Sequence, residues 1–219
     1  MRVVVVGAGR LGEEMANALA SAHNEVTLVE ADRSVADRLR GTCKSRVLHG
    51  DAANPVVLEE AGALKADVLV AVAGQDQVNL VISLLAKRHF DVPRVVARVN
   101  DAENRWLFNE RWGVDVAVSA SATLLSLIQE ATSVADTVGL LTLGKAGVGL
   151  IETTLTDQSS AVGKTLSDLP LPPGSIVATV VRDGQPNVPG GSFILEPGDE
   201  VLVVSESATE ADIRRVFQR

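Results

Sequence analysis

The chain has 219 residues, 46% of them apolar, enough for a real core and for two small domains, and only 3% aromatic with no Tyr, so the core must be aliphatic. Its formal charge is −8 with a pI of about 4.9, and neither half holds a Lys/Arg cluster, which argues against nucleic-acid binding. Cys43 is the only cysteine, so no disulfide can form within the chain, in keeping with a reducing cytosol. The apolar run Val3 to Val6 is too short for a signal peptide, and no stretch is long enough to cross a bilayer. The expectation is a soluble protein that reaches a membrane only through a partner.

In chain order, Val3 to Val6 is a β-branched run ending in glycine and predicts a buried central strand. A helix follows over Leu11 to Ala20, then a strand over Glu25 to Val29, a short helix over Ser34 to Arg40 and a strand over Ser45 to Leu48. Asn54 predicts a helix cap with Pro55 at the favoured first position, and that helix stops at Gly62. Strands are expected at Val68 to Val72, Arg94 to Arg98 and Val114 to Val118, with helices at Gln77 to His89 and Ala102 to Trp112. Strict alternation of strand and helix implies right-handed βαβ units and a doubly wound parallel sheet in the order 3-2-1-4-5-6.

A helix over Ala120 to Ala135 carries Leu124, Leu125, Ile128 and Ala131 at helical spacing. Beyond it the style changes. Short β-like runs at Val148 to Thr154, Ser175 to Val181 and Glu200 to Val204 are separated by turn signals such as Asp183-Gly184 and Pro197-Gly198-Asp199, and a helix over Thr209 to Phe217 closes the pattern. The expected organisation is a Rossmann-type domain over 1–118, a linking or assembly helix over 119–138, and a small α+β domain over 139–219.

Gly7-Ala8-Gly9-Arg10-Leu11-Gly12 is a G-x-G-x-x-G pattern between a strand and a helix. Gly7 permits the tight turn, Gly9 lets the backbone approach a pyrophosphate, and Gly12 lets the helix pack on the sheet, while the helix N-terminus offers N–H groups to phosphates. Glu30, followed by Ala31, ends the second strand, where a carboxylate accepts hydrogen bonds from ribose hydroxyls. It would repel a 2′-phosphate, so NADP is disfavoured. Three more loops fall at strand C-termini, where open α/β sheets bind ligands. In Gly50-Asp51-Ala52, Asp51 either reaches an adenine or caps the next helix. In Ala73-Gly74-Gln75-Asp76-Gln77-Val78-Asn79, Asp76 and Asn79 either face a ribose or phosphate or, for Asp76, serve as a helix cap. Arg98 ends a buried strand and needs an anionic partner, phosphate or carboxylate. Arg10 meets either a terminal phosphate or a surface carboxylate.

Catalytic groups are hard to find. Residues 139–219 contain no His, Cys, Tyr or Trp, and the three histidines lie scattered in the first domain. Neither a Ser/His/Asp arrangement nor a metal-ligand spacing stands out. An NAD-dependent oxidoreductase is the alternative that shares the Rossmann half, but it lacks a proton-transfer group. A redox-sensing transcription factor would need a helix-turn-helix and a basic surface, and neither is present.

The sequence closely resembles the Trk-type potassium uptake protein A family, the KTN/RCK group. The resemblance is carried by Val3 through Gly12, by Val29-Glu30-Ala31-Asp32, Gly50-Asp51-Ala52, Asp76 to Asn79 and Ala97-Arg98-Val99-Asn100-Asp101, and later by Val181-Arg182-Asp183-Gly184 and Leu195 through Val204. It covers essentially the whole chain. The loop Ala73-Gly74-Gln75 departs from the usual pattern, and some members duplicate both modules where this chain has one of each. The resemblance implies a non-enzymatic, cytoplasmic regulatory subunit that binds NAD(H) or ATP/ADP in its first domain. It implies a homodimer that builds a larger ring against a potassium-conducting membrane subunit, without insertion into the membrane. The helix over 120–135 is then either an assembly surface or a helix packed on its own sheet.

Overall fold

The computed structural model describes residues 1–132, 136–143 and 148–218. The chain divides into two units, Met1–Ala120 and Ser121–Arg219.

The first unit is a six-stranded parallel sheet in the order β3-β2-β1-β4-β5-β6. Its strands are β1 (Arg2–Val6), β2 (Glu25–Glu30), β3 (Arg46–His49), β4 (Val68–Ala71), β5 (Arg94–Arg98) and β6 (Val116–Val118). Between them run α1 (Arg10–Ser21), α2 (Arg33–Leu39), α3 (Pro55–Glu60) and α4 (Asp76–Arg88). Side chains alternate across a strand, so β1 feeds two cores. Val4 and Val6 join Leu58, Leu69 and Ile82 on one face, and Val3 and Val5 join Ala16, Leu28 and Leu39 on the other. Two covered faces explain why these strands read as unbroken apolar runs. Asn54 caps α3 as expected, accepting the Val56 N–H at 3.0 Å, and Gly62 ends that segment with φ +92°.

Local geometry departs from expectation over residues 102–112. A single helix does not form; two 3₁₀ turns do, Ala102–Leu107 and Glu110–Trp112. Asn109 is the cause, because it is extended and its side chain accepts the Arg111 N–H at 2.9 Å, offering the backbone a turn in place of the next helical bond. Gly113 then closes the segment with φ +75°, and β6 begins only at Val116.

In the second unit, α5 (Ala120–Ala131, its first residue in the first unit) precedes a five-stranded antiparallel sheet in the order β10-β9-β11-β8-β7. The strands are β7 (Thr137–Leu143), β8 (Val148–Thr154), β9 (Ser175–Arg182), β10 (Gln185–Asn187) and β11 (Glu200–Ser205), followed by α6 (Glu210–Phe217). Ile151, Val180, Val201 and Val203 of the sheet pack with Ile213 and Phe217 of α6. Residues 133–135 of the predicted helix lie outside the described residues, and Thr137 and Val138, expected in the connection, belong to β7. Neither β7 nor β10 was expected. β7 contains a glycine and an irregularity between Gly139 and Leu141 that blur its alternation. β10 is three residues long and contains Pro186, which an edge strand tolerates. Asp183 and Gly184, both at positive φ, make the two-residue hairpin turn that brings β10 back onto β9.

Candidate nucleotide site

The C-terminal ends of β1, β2, β4 and β5 converge on a cleft in the first unit. One part, about 230 Å³, is lined by Gly7, Gly9, Glu30, Ala31, Asp51 and Arg98, and also by Gly50, Ala52, Ala73 and Gly74. Beside it a second cavity of about 310 Å³ is lined by Gly9, Arg10, Leu11, Gly12, Val72 and Arg98. The three glycines of the loop have different reasons to be glycine. At Gly7, φ is +98° and an added Cβ would sit 2.8 Å from the Ala73 nitrogen. At Gly12 an added Cβ would sit 1.8 Å from the Gly7 carbonyl oxygen. At Gly9 an added Cβ would meet no protein atom within 4 Å. The protein's own packing therefore demands glycine at positions 7 and 12 and leaves the space over Gly9 open to the cleft. Gly9 is also the N-cap of α1, and no side-chain hydrogen bond caps that helix end.

Glu30 bridges two backbone donors. Its Oε2 accepts the Ala8 N–H at 2.7 Å and its Oε1 accepts the Asp32 N–H at 2.8 Å. A carboxylate has about four acceptor positions, so each oxygen keeps one for a ligand hydroxyl. The same contacts tie the glycine loop to the start of α2. Ala8 itself is buried under the loop and contributes through that N–H. Asp51 lines the cleft and folds its own turn by accepting the Ala53 N–H at 2.9 Å, whereas the cap of α3 is Asn54. The Arg10 side chain is 93% exposed and pairs with Glu14 one turn along α1 at 3.0 Å.

Asp76 and Asn79 do not line either cavity, and the structure gives both a different task. Asp76 is the first residue of α4 rather than its cap. Its carboxylate accepts four hydrogen bonds: from the backbone and side-chain amides of Asn100, at 2.6 and 3.0 Å, from the Asp101 N–H at 3.0 Å, and from Asn104 at 2.9 Å. Burial pushes this carboxyl up, and those bonds outweigh it and hold the group below the usual carboxylate range. Asn79 is fully buried; it accepts the Ala73 N–H at 2.8 Å and donates to the Ala73 and Arg98 carbonyls at 3.0 and 2.9 Å. Together they fasten the loop after β4 to the loop after β5. The sequence reading missed the apolar wall of the cleft, Val72, Val78 and Ile82. Val78 and Ile82 stand four apart on α4, and that spacing alone was a signal that both share one face.

A larger cavity of about 630 Å³ lies in the second unit, beside β7 and the start of α6. Its ionisable groups are Glu206 and Glu210, an environment hostile to phosphate. Among the described residues no group of three or more His, Cys, Asp or Glu is placed to hold a metal ion, and no helix is long and apolar enough to cross a membrane.

A doubly wound sheet with a glycine loop and an acidic residue ending β2 defines a Rossmann-type nucleotide domain, here followed by a small antiparallel α+β unit. The TrkA-N domain family matches residues 3–120 and the TrkA-C domain family residues 150–218. The Trk system potassium uptake protein TrkA of Mycobacterium tuberculosis is 40% identical over 217 residues, covering 99% of this chain and 98% of that protein. A TrkA homolog of Archaeoglobus fulgidus is 34% identical over 223 residues, covering 99% of this chain and 50% of that one. Among solved structures, the GsuK channel superposes with a TM-score of 0.60 at 15% identity, over 100% of this chain and 39% of its own. The Shewanella denitrificans Kef CTD in AMP-bound form superposes with a TM-score of 0.51 at 27% identity, over 61% of this chain and 81% of its own. The chain belongs to the TrkA family, with one TrkA-N and one TrkA-C domain, a family of regulatory proteins rather than enzymes.

Proposed function

We propose that this protein is the nucleotide-sensing cytoplasmic subunit of a potassium uptake system, binding NAD(H) or ATP/ADP in the cleft over Gly9 and passing the binding state to a potassium-conducting membrane subunit. The observation that carries the reading is the contrast among the three glycines. Packing accounts for Gly7 and Gly12, whereas a Cβ at Gly9 would meet nothing within 4 Å, an opening that a closely approaching ligand would use. Glu30 stands where ribose hydroxyls would complete its acceptor set, and Asp51, Ala52, Gly74, Val78 and Ile82 offer the rim and the apolar wall for an adenine. Related structures are described as GsuK bound to NAD and GsuK bound to ADP. For the nucleotide to regulate, it must bind two shapes of the assembly with different affinity.

The test is thermal unfolding of the purified protein with NAD, NADH, NADP, ATP, ADP and buffer. A ligand at about 100 times its Kd adds roughly 2.7 kcal/mol, a shift of roughly 5–10 °C for a chain of this size. Shifts with NADH and with ADP or ATP, and none with NADP, are expected. Glu30→Ala should weaken every ribose-bearing ligand by roughly 10- to 100-fold, the worth of a charge-assisted hydrogen bond. Unchanged affinities in that variant would refute the placement of the ribose.

Assembly is supported by α5. Leu124 and Leu125 are 59% and 56% exposed, and Leu127 and Ile128 are about half exposed, an apolar surface on the described part of the helix. A second copy would cover it and begin the ring that acts on the membrane subunit, holding the protein at the inner face of the membrane without insertion. Replacing Leu124 and Ile128 together by Glu is expected to convert the dimer to a monomer in light scattering, with the nucleotide-induced shift retained. A wild-type protein that is already monomeric would remove this part of the reading.

A further inference from the structure

Helix α6 divides its side chains between two environments. Ile213 and Phe217 are fully buried in the core of the second unit. Ala211, Arg214 and the C-cap residue Gln218 lie at helical spacing on another side and line a cavity of about 620 Å³. Asp136, just before β7, and Thr156 and Gln158, in the loop after β8, line the rest of it. The wall is fixed by hydrogen bonds. The Gln218 amide donates to the Thr153 hydroxyl at 3.0 Å and to the Thr154 carbonyl at 2.8 Å, and its oxygen accepts from the Ser159 hydroxyl. The Thr153 hydroxyl in turn donates to the Asp136 carbonyl at 3.0 Å, and the Thr154 N–H does so at 2.8 Å.

Two opposite charges line this cavity without meeting. Among the described residues neither the Asp136 carboxylate nor the Arg214 guanidinium has a hydrogen bond or an ion pair, whereas Arg215, which also lines the cavity, is engaged by Asp212 at 3.0 Å. The helix dipole favours an arginine in the last turn of α6, but it gives no reason for an unpaired carboxylate beside the same cavity. A simple anion entering here would meet that carboxylate, and a simple cation would meet the guanidinium groups. A molecule that carries both charges satisfies each side.

We propose that this cavity binds a small zwitterion with a carboxylate and an ammonium group, an amino acid in its chemistry. Arg214 pairs with the carboxylate, for which a planar guanidinium offers two parallel donors, and Asp136 pairs with the ammonium. Ala211 leaves open the space one turn before Arg214 that a large side chain would fill. All the lining residues belong to the second unit, so the inference stands apart from the nucleotide reading.

The experiment is thermal unfolding of the full chain with a panel of the common amino acids, β-alanine and γ-aminobutyrate, the last two with their charges further apart. Acetate, ethylammonium and inorganic phosphate at the same concentrations serve as single-charge controls, and titration calorimetry follows on whatever shifts the transition. At about ten times its Kd a bound zwitterion should raise the unfolding temperature by roughly 3–6 °C, and the controls should shift it by less than about 1 °C. Arg214→Met and Asp136→Asn should each weaken that zwitterion by roughly 10-fold or more, while Arg215→Met stays within about 3-fold. Ala211→Trp should remove binding by filling the cavity. Free of ligand, the three charge variants should unfold close to wild type, because exposed and half-exposed substitutions cost little. The proposal is overturned if no zwitterion shifts the transition, or if acetate or phosphate binds as well as the zwitterion, which would mark a simple anion site. It is equally overturned if Asp136→Asn or Arg214→Met binds as wild type does, or if binding survives in Ala211→Trp.

Discussion

Gly12→Ala is expected to lower the unfolding temperature of the first unit by roughly 5–10 °C and to remove nucleotide binding. The added Cβ would lie 1.8 Å from the Gly7 carbonyl oxygen and 3.3 Å from a Val72 methyl. The first contact is with backbone, so no rotamer change relieves it. Gly7 cannot retreat, because its N–H donates to the Val29 carbonyl at 2.9 Å and Ala73 closes its other side. The start of α1 must therefore move away from the sheet. Overpacking of this kind costs about 3 kcal/mol, against which alanine returns about 1 kcal/mol of helix propensity, so destabilisation wins. Because α1 carries the helix end beside Arg98, its displacement also opens the cleft. Gly9→Ala is the matched control. Its Cβ touches no protein atom, so it should unfold with wild type and yet bind nucleotide less tightly. Thermal unfolding and calorimetry on the pair decide the matter; a Gly12→Ala protein that melts and binds as wild type does would show that the loop is looser than its contacts imply.

Asp199→Ala should destabilise the second unit by about 3–5 kcal/mol, the usual cost of removing one partner of a buried ion pair. Asp199 is fully buried in the Pro197-Gly198-Asp199 turn. It accepts the Arg182 Nε–H and Nη2–H at 2.7 and 2.8 Å, together with the Glu196 N–H at 2.9 Å. The pair ties the end of β9 to the start of β11, and Arg182 also stacks over Phe193 at 4.9 Å. Removing the carboxylate leaves the cation with Glu196 and the Ile194 carbonyl as its hydrogen-bond partners among the described residues. Hydrogen exchange of the β8, β9 and β11 amides should accelerate, while nucleotide affinity in the first unit holds. Wild-type exchange rates in the variant would count against the pair as a fastener.

The pH dependence follows from the same residue. Burial raises the Asp199 carboxyl, and the Arg182 and Glu196 hydrogen bonds outweigh it, so the folded value lies below the ordinary one of about 3.9. A depressed acid stabilises the fold fully above its unfolded pKa, and that contribution is lost as pH falls through the folded value. Asp76 has the same sign in the first unit. Both units should therefore hold their stability down to about pH 4 and lose it below, and Asp199→Asn should flatten the acid limb of the second unit alone.

Much of the first unit can be read from local features. Val3 to Val6, Val68 to Val72 and Arg94 to Arg98 are buried or half-buried runs bounded by turn residues, and their alternation with amphipathic helices leaves few topologies open. The glycine loop and Glu30 are legible because each glycine answers a backbone need within a few residues of itself. The second unit is less transparent, since β7 is irregular at Gly139 and β10 is three residues long; both exist because a neighbouring strand supplies the hydrogen bonds.

The amino-acid sequence by itself determined the sheet order, the turn at Gly7 and the carboxylate at the end of β2, because periodicity, β-branching and glycine geometry act over short stretches of chain. Only the tertiary structure decided which polar groups are free for a ligand. Asp76 and Asn79 look like ligands in the sequence, but Asp76 is saturated by Asn100, Asp101 and Asn104, and Asn79 by Ala73 and Arg98. Arg98, for which the sequence predicts an anionic partner, keeps a buried Nε–H without a hydrogen-bond partner among the described residues. Hydrogen-bond satisfaction of Asp76 depends on Asn100, Asp101 and Asn104, and that of Asn79 partly on Arg98, groups on the next strand's loop that only the closed sheet brings near, and no local pattern records it.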